Sequence, residues 1–413
     1  MMLAGHAVPP VVDRSTIHQA DSAGASPLRV LLVTGAYYPE ISAAAVQCRD
    51  VAAALRGRVS FGVLTTAVDR SLAPSASVDG VPVHRVAIDV RSRLSKTVAS
   101  AHLVRQMLAA GRACDVVHVH GYSQKNIPVS LLARLLRKPV VLTAHTAGQD
   151  EPDAVARRGR LARWAFRSAD LVLCVSPHLE ARCRAAFPGG RVRLSPNGVD
   201  TTRFRPAGPL DRATLRRTLG WPDGDPVVLF VGFFSRDKRP DLLFRAWRRL
   251  PASLRARLVF VGASAGYYEI DRTLAASIRD EAAALGRAGS VTFVAPTHAM
   301  EPYFRASDLF VLPSVREAQP LALVEAMSCG LPCIATRLPG ATDALIEDGV
   351  NGRLIPADDE PALAAALREL LTDSAAAQSL GARARATVAA RYDVRRTAEH
   401  WLSAYQAVMA GRG

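Results

Sequence analysis

The sequence predicts an α/β protein of two doubly wound units, each a largely parallel sheet with helices on both faces. Three observations carry this. Short β-branched apolar runs alternate with amphipathic helical stretches, the pattern of a parallel sheet with crossover helices. The alternation pauses in a polar stretch rich in Pro and Gly, "AGPLDRATLRRTLGWPDGDP" (207–226), and then restarts. The chain has 413 residues, the natural length for two domains.

In order, "LRVLLVT" (28–34) reads as a strand before a Gly loop, and "ISAAAVQCRDVAAALR" (41–56) has helical spacing. "VSFGVLTT" (59–66) and "VPVHRVAI" (81–88) read as strands, and 91–112 as a basic amphipathic helix. Strands follow at 115–121, 139–145 and 170–176, with helices at 127–138 and 161–169 between them, and 191–200 reads as a strand and a turn. In the second unit, strands are expected at 227–232, 256–262, 290–295, 308–314 and 331–337, and the closing helix at 395–410 is amphipathic. The expected division is a disordered Ala-, Ser- and Pro-rich tail (1–27), two sheet domains (28–205 and 206–390) and a C-terminal helix (391–413).

Composition excludes several classes. Hydrophobic residues make up 49 % and charged residues 22 %, as in ordinary globular proteins. No apolar run approaches the ~18 residues of a membrane helix, and the N-terminus lacks the basic and apolar regions of a signal peptide. The six cysteines form no CxxC pair and fit reduced thiols in the cytosol. Net charge is +15, and residues 1–205 hold 27 basic against 14 acidic residues. That half suits an anionic surface, an anionic substrate or nucleic acid. The helix at 91–112 would lie on anionic lipid if its apolar face were free. Nothing resembles a helix-turn-helix or an aromatic-lined basic groove, which argues against nucleic acid.

Ligands of open parallel sheets bind beyond the carboxyl ends of the strands, so the loops after strands hold the candidates. "VREAQPLALVEAMSCGLPCIAT" (315–336) places Glu317 just after one strand, Pro320 in the first turn of a helix, and Glu325 inside that helix, which stops near Gly330. The free N–H groups near Leu321 and Ala322 favour phosphate, whereas the two carboxylates accept hydrogen bonds from hydroxyls. A ligand with both features is a sugar nucleotide. After the strand ending at Gly232, Arg236, Lys238 and Arg239 are placed to hold a diphosphate. His145 ends a first-domain strand and faces the cleft; His118 and His120 share one strand face and read as structural. "DGD" (223–225), between Pro222 and Pro226, is turn chemistry and not a metal site. There is no P-loop, HExxH or GxSxG.

The run "VLPSVREAQPLALVEAMSCGLPCIATRLPGATDALIEDGVNGRLIPADD" resembles the signature of the family 4 retaining glycosyltransferases of GT-B fold. "YYPEISAAAVQCRDVAAAL", "DVVHVHG", "VVLTAHT", "SPNGVDTTRFRP", "VGFFSRDKRPDLL" and "YFRASDLFVLPS" occur in the matching order, so the resemblance spans about residues 28–410. It implies transfer of a sugar from a nucleoside diphosphate sugar to an acceptor hydroxyl, without cofactor or metal, with the acceptor on the first domain and the closing helix (391–413) packed back on that domain. Glu317 is implied to read the sugar, Glu325 the ribose, Lys238 the diphosphate, and His145 to approach the transferring sugar. The implied donor site runs through Gly232, Ala318, Gln319, Pro320, Leu321 and Ala322. Three departures stand out: Phe233 where many members have Arg, with Arg236 the nearest substitute; Ser42, Ala43 and Ala44 in place of a Gly-Gly pair; and Ala318 in place of Gly. The rival reading on the same fold is a sugar-nucleotide epimerase, which would convert the donor without an acceptor.

Overall fold

The computed structural model describes residues 26–187, 189, 191–262 and 271–411, so the expected tail lies almost entirely outside the described residues. The first sheet contains β1 (Leu28–Thr34), β2 (Val59–Ala67), β3 (Ser75–Val78), β4 (Val81–Ala87), β5 (Val116–His120), β6 (Val140–Ala144), β7 (Leu171–Cys174) and β8 (Val192–Leu194). The second contains β9 (Val227–Val231), β10 (Arg257–Val261), β11 (Val291–Val294), β12 (Leu309–Leu312), β13 (Cys333–Thr336) and β14 (Arg353–Ile355). Their orders are β3-β4-β2-β1-β5-β6-β7-β8 and β11-β10-β9-β12-β13-β14. Pairing is parallel except between β3 and β4. The central strands are apolar throughout because helices cover both faces: β1, β5, β6 and β9 each run four or five buried residues in succession.

Strand order reverses between β1 and β5 in the first sheet and between β9 and β12 in the second. Each reversal opens a crevice at the carboxyl edge, the place where such sheets bind ligands. The chain crosses between sheets near Asn197 and returns near Asp393, where Val199 N–H donates to Tyr392 O (2.9 Å) and Val394 N–H to Val199 O (2.9 Å). The closing helix, Val394–Ala410, buries Trp401, Leu402, Tyr405 and Val408 against the first sheet, in one cluster with Val30, Leu32 and Val141.

Three local expectations need correction. The antiparallel hairpin of β3 and β4, turning at Asp79-Gly80, escapes the periodicity because "SASV" is short and exposed. The polar stretch 207–226, where the alternation is expected to pause, holds a helix: Pro209–Thr218 is started by a Pro at its first position and anchored by the buried Arg216, which bonds Ala306 O (3.0 Å) and pairs with Asp308. Pro320 stands one position before its helix, which spans Leu321–Ser328. All six cysteines are buried and free.

Candidate active site

The second sheet's reversal point carries the predicted donor residues. Lys238, from the loop after β9, donates to Glu317 Oε1 in the loop after β12 at 2.5 Å. The Glu317 side chain is only 8 % exposed, so burial strengthens this pair. Gly232 lies against both the Phe230 ring and Lys238: a Cβ there would sit 3.4 Å from the ring and 4.0 Å from Lys238 Cδ, ordinary packing distances. Helix Leu321–Ser328 starts beside the pair. The N–H groups of Leu321 and Ala322 have no backbone acceptor among the described residues, as first-turn groups lack an intrahelical partner. Four residues into that helix, Glu325 is buried with no hydrogen-bond partner for its carboxylate among the described residues. Burial pushes its pKa up to about 8, with Arg203 opposing and Asp50 and Glu301 adding to the rise.

The same loops grip the first domain. Arg316 Nη1 donates to Ala147 O at 2.9 Å, and its Nε to Asp237 at 3.0 Å. Ala318 is buried in the first domain's own apolar cluster, with Tyr122 and Ala147. The extra methyl at this departure therefore fills the interface. Gln319, expected at the donor, has its side chain committed elsewhere: Oε1 accepts from Asn197 N–H (2.5 Å) and Nε2 donates to Asn197 O (3.2 Å). The next crossing residue, Gly198, donates to Gln47 of the first domain at 2.7 Å. Two glutamines thus hold the linker from opposite sides. Of the expected diphosphate cations, Arg239 is drawn away into pairs with Asp241 and Asp358, which corrects that assignment. Arg236 is exposed and forms no ion pair among the described residues. Ser42 caps helix Ala43–Ala54, its Oγ accepting from Ala45 N–H at 3.1 Å, so the departure from Gly-Gly serves the helix start.

Across the cleft, His145 follows β6. Its backbone N–H and that of Thr146 donate to Asp150 at 2.7 and 2.8 Å, which fixes the loop. His145 Nε2 and His120 Nδ1 share a proton across 3.0 Å. Burial lowers the His145 pKa to about 4 and that of His120 well below its usual value, so both are neutral at pH 7. His118 bonds Tyr405 Oη (2.8 Å) and Thr143 Oγ1 (2.7 Å), the structural role expected of it. His120, read as structural, instead orients His145. Their spacing in the sequence gives no hint of this, because the pairing depends on adjacent strands β5 and β6. The aromatic motif before the first helix also does more than expected: Tyr38 stacks on His298 of the second domain (4.3 Å), whose Nε2 meets Pro39 O at 2.9 Å.

With a cation and a helix N-terminus at one sheet edge and a neutral imidazole on the other domain, the fold and the site are those of a two-sheet α/β enzyme. The model for glycosyl transferases group 1 matches residues 211–387, and that for glycosyltransferase family 4 matches residues 44–203. The D-inositol 3-phosphate glycosyltransferase of Stackebrandtia nassauensis is 33 % identical over 374 residues, covering 84 % of this chain and 82 % of the relative. The alpha-maltose-1-phosphate synthase of Mycolicibacterium smegmatis is 28 % identical over 400 residues, covering 93 % and 100 %. The structure of Anabaena HepE in complex with UDP and glucose has a similar fold (TM-score 0.75, 20 % identity, 92 % and 100 % covered). The chain belongs to the family 4 glycosyltransferases of GT-B fold, and it is a nucleotide-sugar glycosyltransferase.

Proposed function

We propose that the enzyme transfers a hexosyl group, with retention of anomeric configuration, from a nucleoside diphosphate sugar to a hydroxyl of an anionic acceptor bound on the first domain. The Lys238–Glu317 pair at the start of helix Leu321–Ser328 carries this reading. Lys238 and the helix N-terminus stabilise the charge that develops on the departing diphosphate. Glu317 accepts from the sugar hydroxyls and Glu325 from the ribose. The bond from the anomeric carbon to the diphosphate breaks, the acceptor oxygen bonds that carbon from the same face, and its proton passes to the departing diphosphate. The chain's own cations take the charge-neutralising role, so no metal is invoked. The neutral imidazole of His145 borders the sugar without bringing a competing charge. The relatives' names support a phosphate-bearing acceptor or product, and the basic first half of the chain agrees. Incubation with UDP-glucose and other sugar nucleotides, plus D-inositol 3-phosphate, should release nucleoside diphosphate and form an α-linked product. An inverted product would overturn the stereochemical part, and absence of binding to every sugar nucleotide would overturn the donor assignment.

A second reading concerns where the enzyme works. Helix Arg93–Ala113 buries Ala99, Leu103 and Met107 in its core, yet Leu94 is 76 % exposed. On the adjoining helices Asn126–Leu135 and Arg160–Arg167, Leu135 and Leu161 are 73 % and 67 % exposed. Lys96, Arg134, Arg137, Arg160 and Arg163 stand exposed among them. Leucines set in a cationic face complement an anionic lipid surface, so we propose peripheral attachment at the inner face of the membrane. No described helix is long and apolar enough to cross a membrane. Co-sedimentation with phosphatidylglycerol vesicles, weakened by salt and by Leu135→Asp, is the expected result; failure to sediment at low salt would exclude it.

A further inference from the structure

Both reversal points hold a lysine, and among the described residues only Lys238 has a partner of opposite charge. In the second sheet Lys238 meets Glu317. In the first sheet Lys125, from the loop after β5, reaches across the crevice and donates to Thr34 O at the end of β1. The amine lies beside the loop after β1, since a Cβ on Gly35 would come within 3.6 Å of Nζ. Lys125 forms no ion pair among the described residues, and two of its three N–H donors have no acceptor there. Burial lowers its pKa to about 7. Its charge also reaches His120, whose Nε2 is buried without a partner. Lys125 is half-buried, and a lysine partly withdrawn from water is ordinarily paired. An unpaired one, beside an unpartnered imidazole nitrogen and at the crevice where such sheets bind ligands, marks a site whose counter-charge comes with the ligand.

We infer that Lys125 binds the anionic group, a phosphate or carboxylate, of the acceptor at the β1/β5 crevice of the first domain. The inference rests on the transferase reading and adds the residue that selects a charged acceptor over a neutral one. The reaction places the acceptor opposite the donor, and the donor phosphates already have Lys238 and the helix N-terminus on the second domain. His120 bonds His145 at 3.0 Å and feels the Lys125 charge, so an anion held by the lysine would set the acceptor's hydroxyls near the transferring sugar.

The test uses the full chain with 13C-labelled lysine methylene groups and calorimetry, comparing wild type, Lys125→Met and Lys125→Arg. Inorganic phosphate and D-inositol 3-phosphate are the anionic probes, myo-inositol the neutral control, and UDP the donor-side control. In wild type, the Lys125 resonance should titrate near 7 and move to higher pH when phosphate is added. Lys125→Met should weaken D-inositol 3-phosphate about 10- to 100-fold, with Lys125→Arg recovering part of the loss. The same substitution should leave UDP affinity and weak myo-inositol binding alike, and it should not lower the melting temperature. A wild type that binds UDP while its Lys125 resonance ignores both anions would overturn the inference and leave the transferase reading standing. A Lys125→Met variant that weakens UDP instead would assign the lysine to the donor and overturn it as well. A wild type that binds no nucleotide would sink the transferase reading on its own.

Discussion

Glu325 is an acid that the fold keeps protonated at neutral pH. In the unfolded chain it titrates near ~4.3, and in the folded chain burial moves it to about 8. Between those values the native state holds a proton that the unfolded state has released. The resulting stability is fully present below the unfolded pKa and is lost as pH rises through the folded one. Ribose hydroxyls donate to a carboxylate, so nucleotide binding draws this proton off. UDP affinity should therefore rise between pH 6 and pH 8, and Glu325→Gln should abolish most of that rise. Asp50, pushed up to about 6 chiefly by burial, shares the field and will add a smaller slope at the acidic end. Calorimetry across this range checks the prediction, and a pH-independent wild-type affinity would count against it. At Lys238, alanine leaves Glu317 buried without its cation. Nucleoside diphosphate release from the donor should then slow about 10²–10³-fold, measured in single-turnover assays; a loss under tenfold would remove Lys238 from the chemistry.

At the scale of elements, the closing helix shows how a readable pattern acquires a partner. Its amphipathic spacing announces a buried stripe, but not which surface it covers. That surface is the first sheet: Trp401 packs edge-on against His118 (4.6 Å) and Tyr405 bonds the same imidazole. Trp401→Ala should cost about 3–5 kcal/mol and Tyr405→Phe about 1 kcal/mol, both read from urea midpoints. If Trp401→Ala unfolded at the wild-type midpoint, the helix would not be part of the folded core. Periodicity was sufficient for β1, β5, β6 and β9, whose residues are apolar in unbroken runs. It failed for β3, for the three-residue strand β14, and for the helix at Pro209–Thr218, where polar and proline-rich composition imitates a loop. A strand that short takes its conformation from its neighbour's ladder, and its own composition carries little signal.

For the whole molecule, side-chain and backbone contacts across the cleft help to hold the two domains together. Arg316 bonds Ala147 O, Tyr38 stacks on His298, and His178 N–H donates to Gly340 O at 3.1 Å. The last contact needs glycine: a Cβ at Gly340 would sit 2.8 Å from the His178 backbone nitrogen, and the residue has φ +67°. Arg316→Ala should loosen the closed form, raising the donor KM several-fold and the radius of gyration by solution scattering. The melting temperature should change little, because the Arg316–Asp237 pair is about one-third exposed on both sides. Unchanged scattering and KM would show that closure does not depend on this arginine.

The sequence by itself determined the fold class, the order of most elements and the motifs that mark the family, with their candidate donor residues. Glu317, Lys238 and Glu325 were recognisable because their chemistry sits in contiguous stretches just after strands, where local pattern and composition are informative. Only the tertiary structure decided which of the neighbouring cations stayed at the site, turned Gln319 toward the linker, joined His120 to His145 and left Lys125 without a counter-charge. Those outcomes depend on residues that are distant in sequence and adjacent in space: Lys125 on Thr34, Gln319 on Asn197, Arg239 on Asp358. Local preference sets a segment's backbone, whereas burial and pairing are settled by whatever the packed chain places beside it.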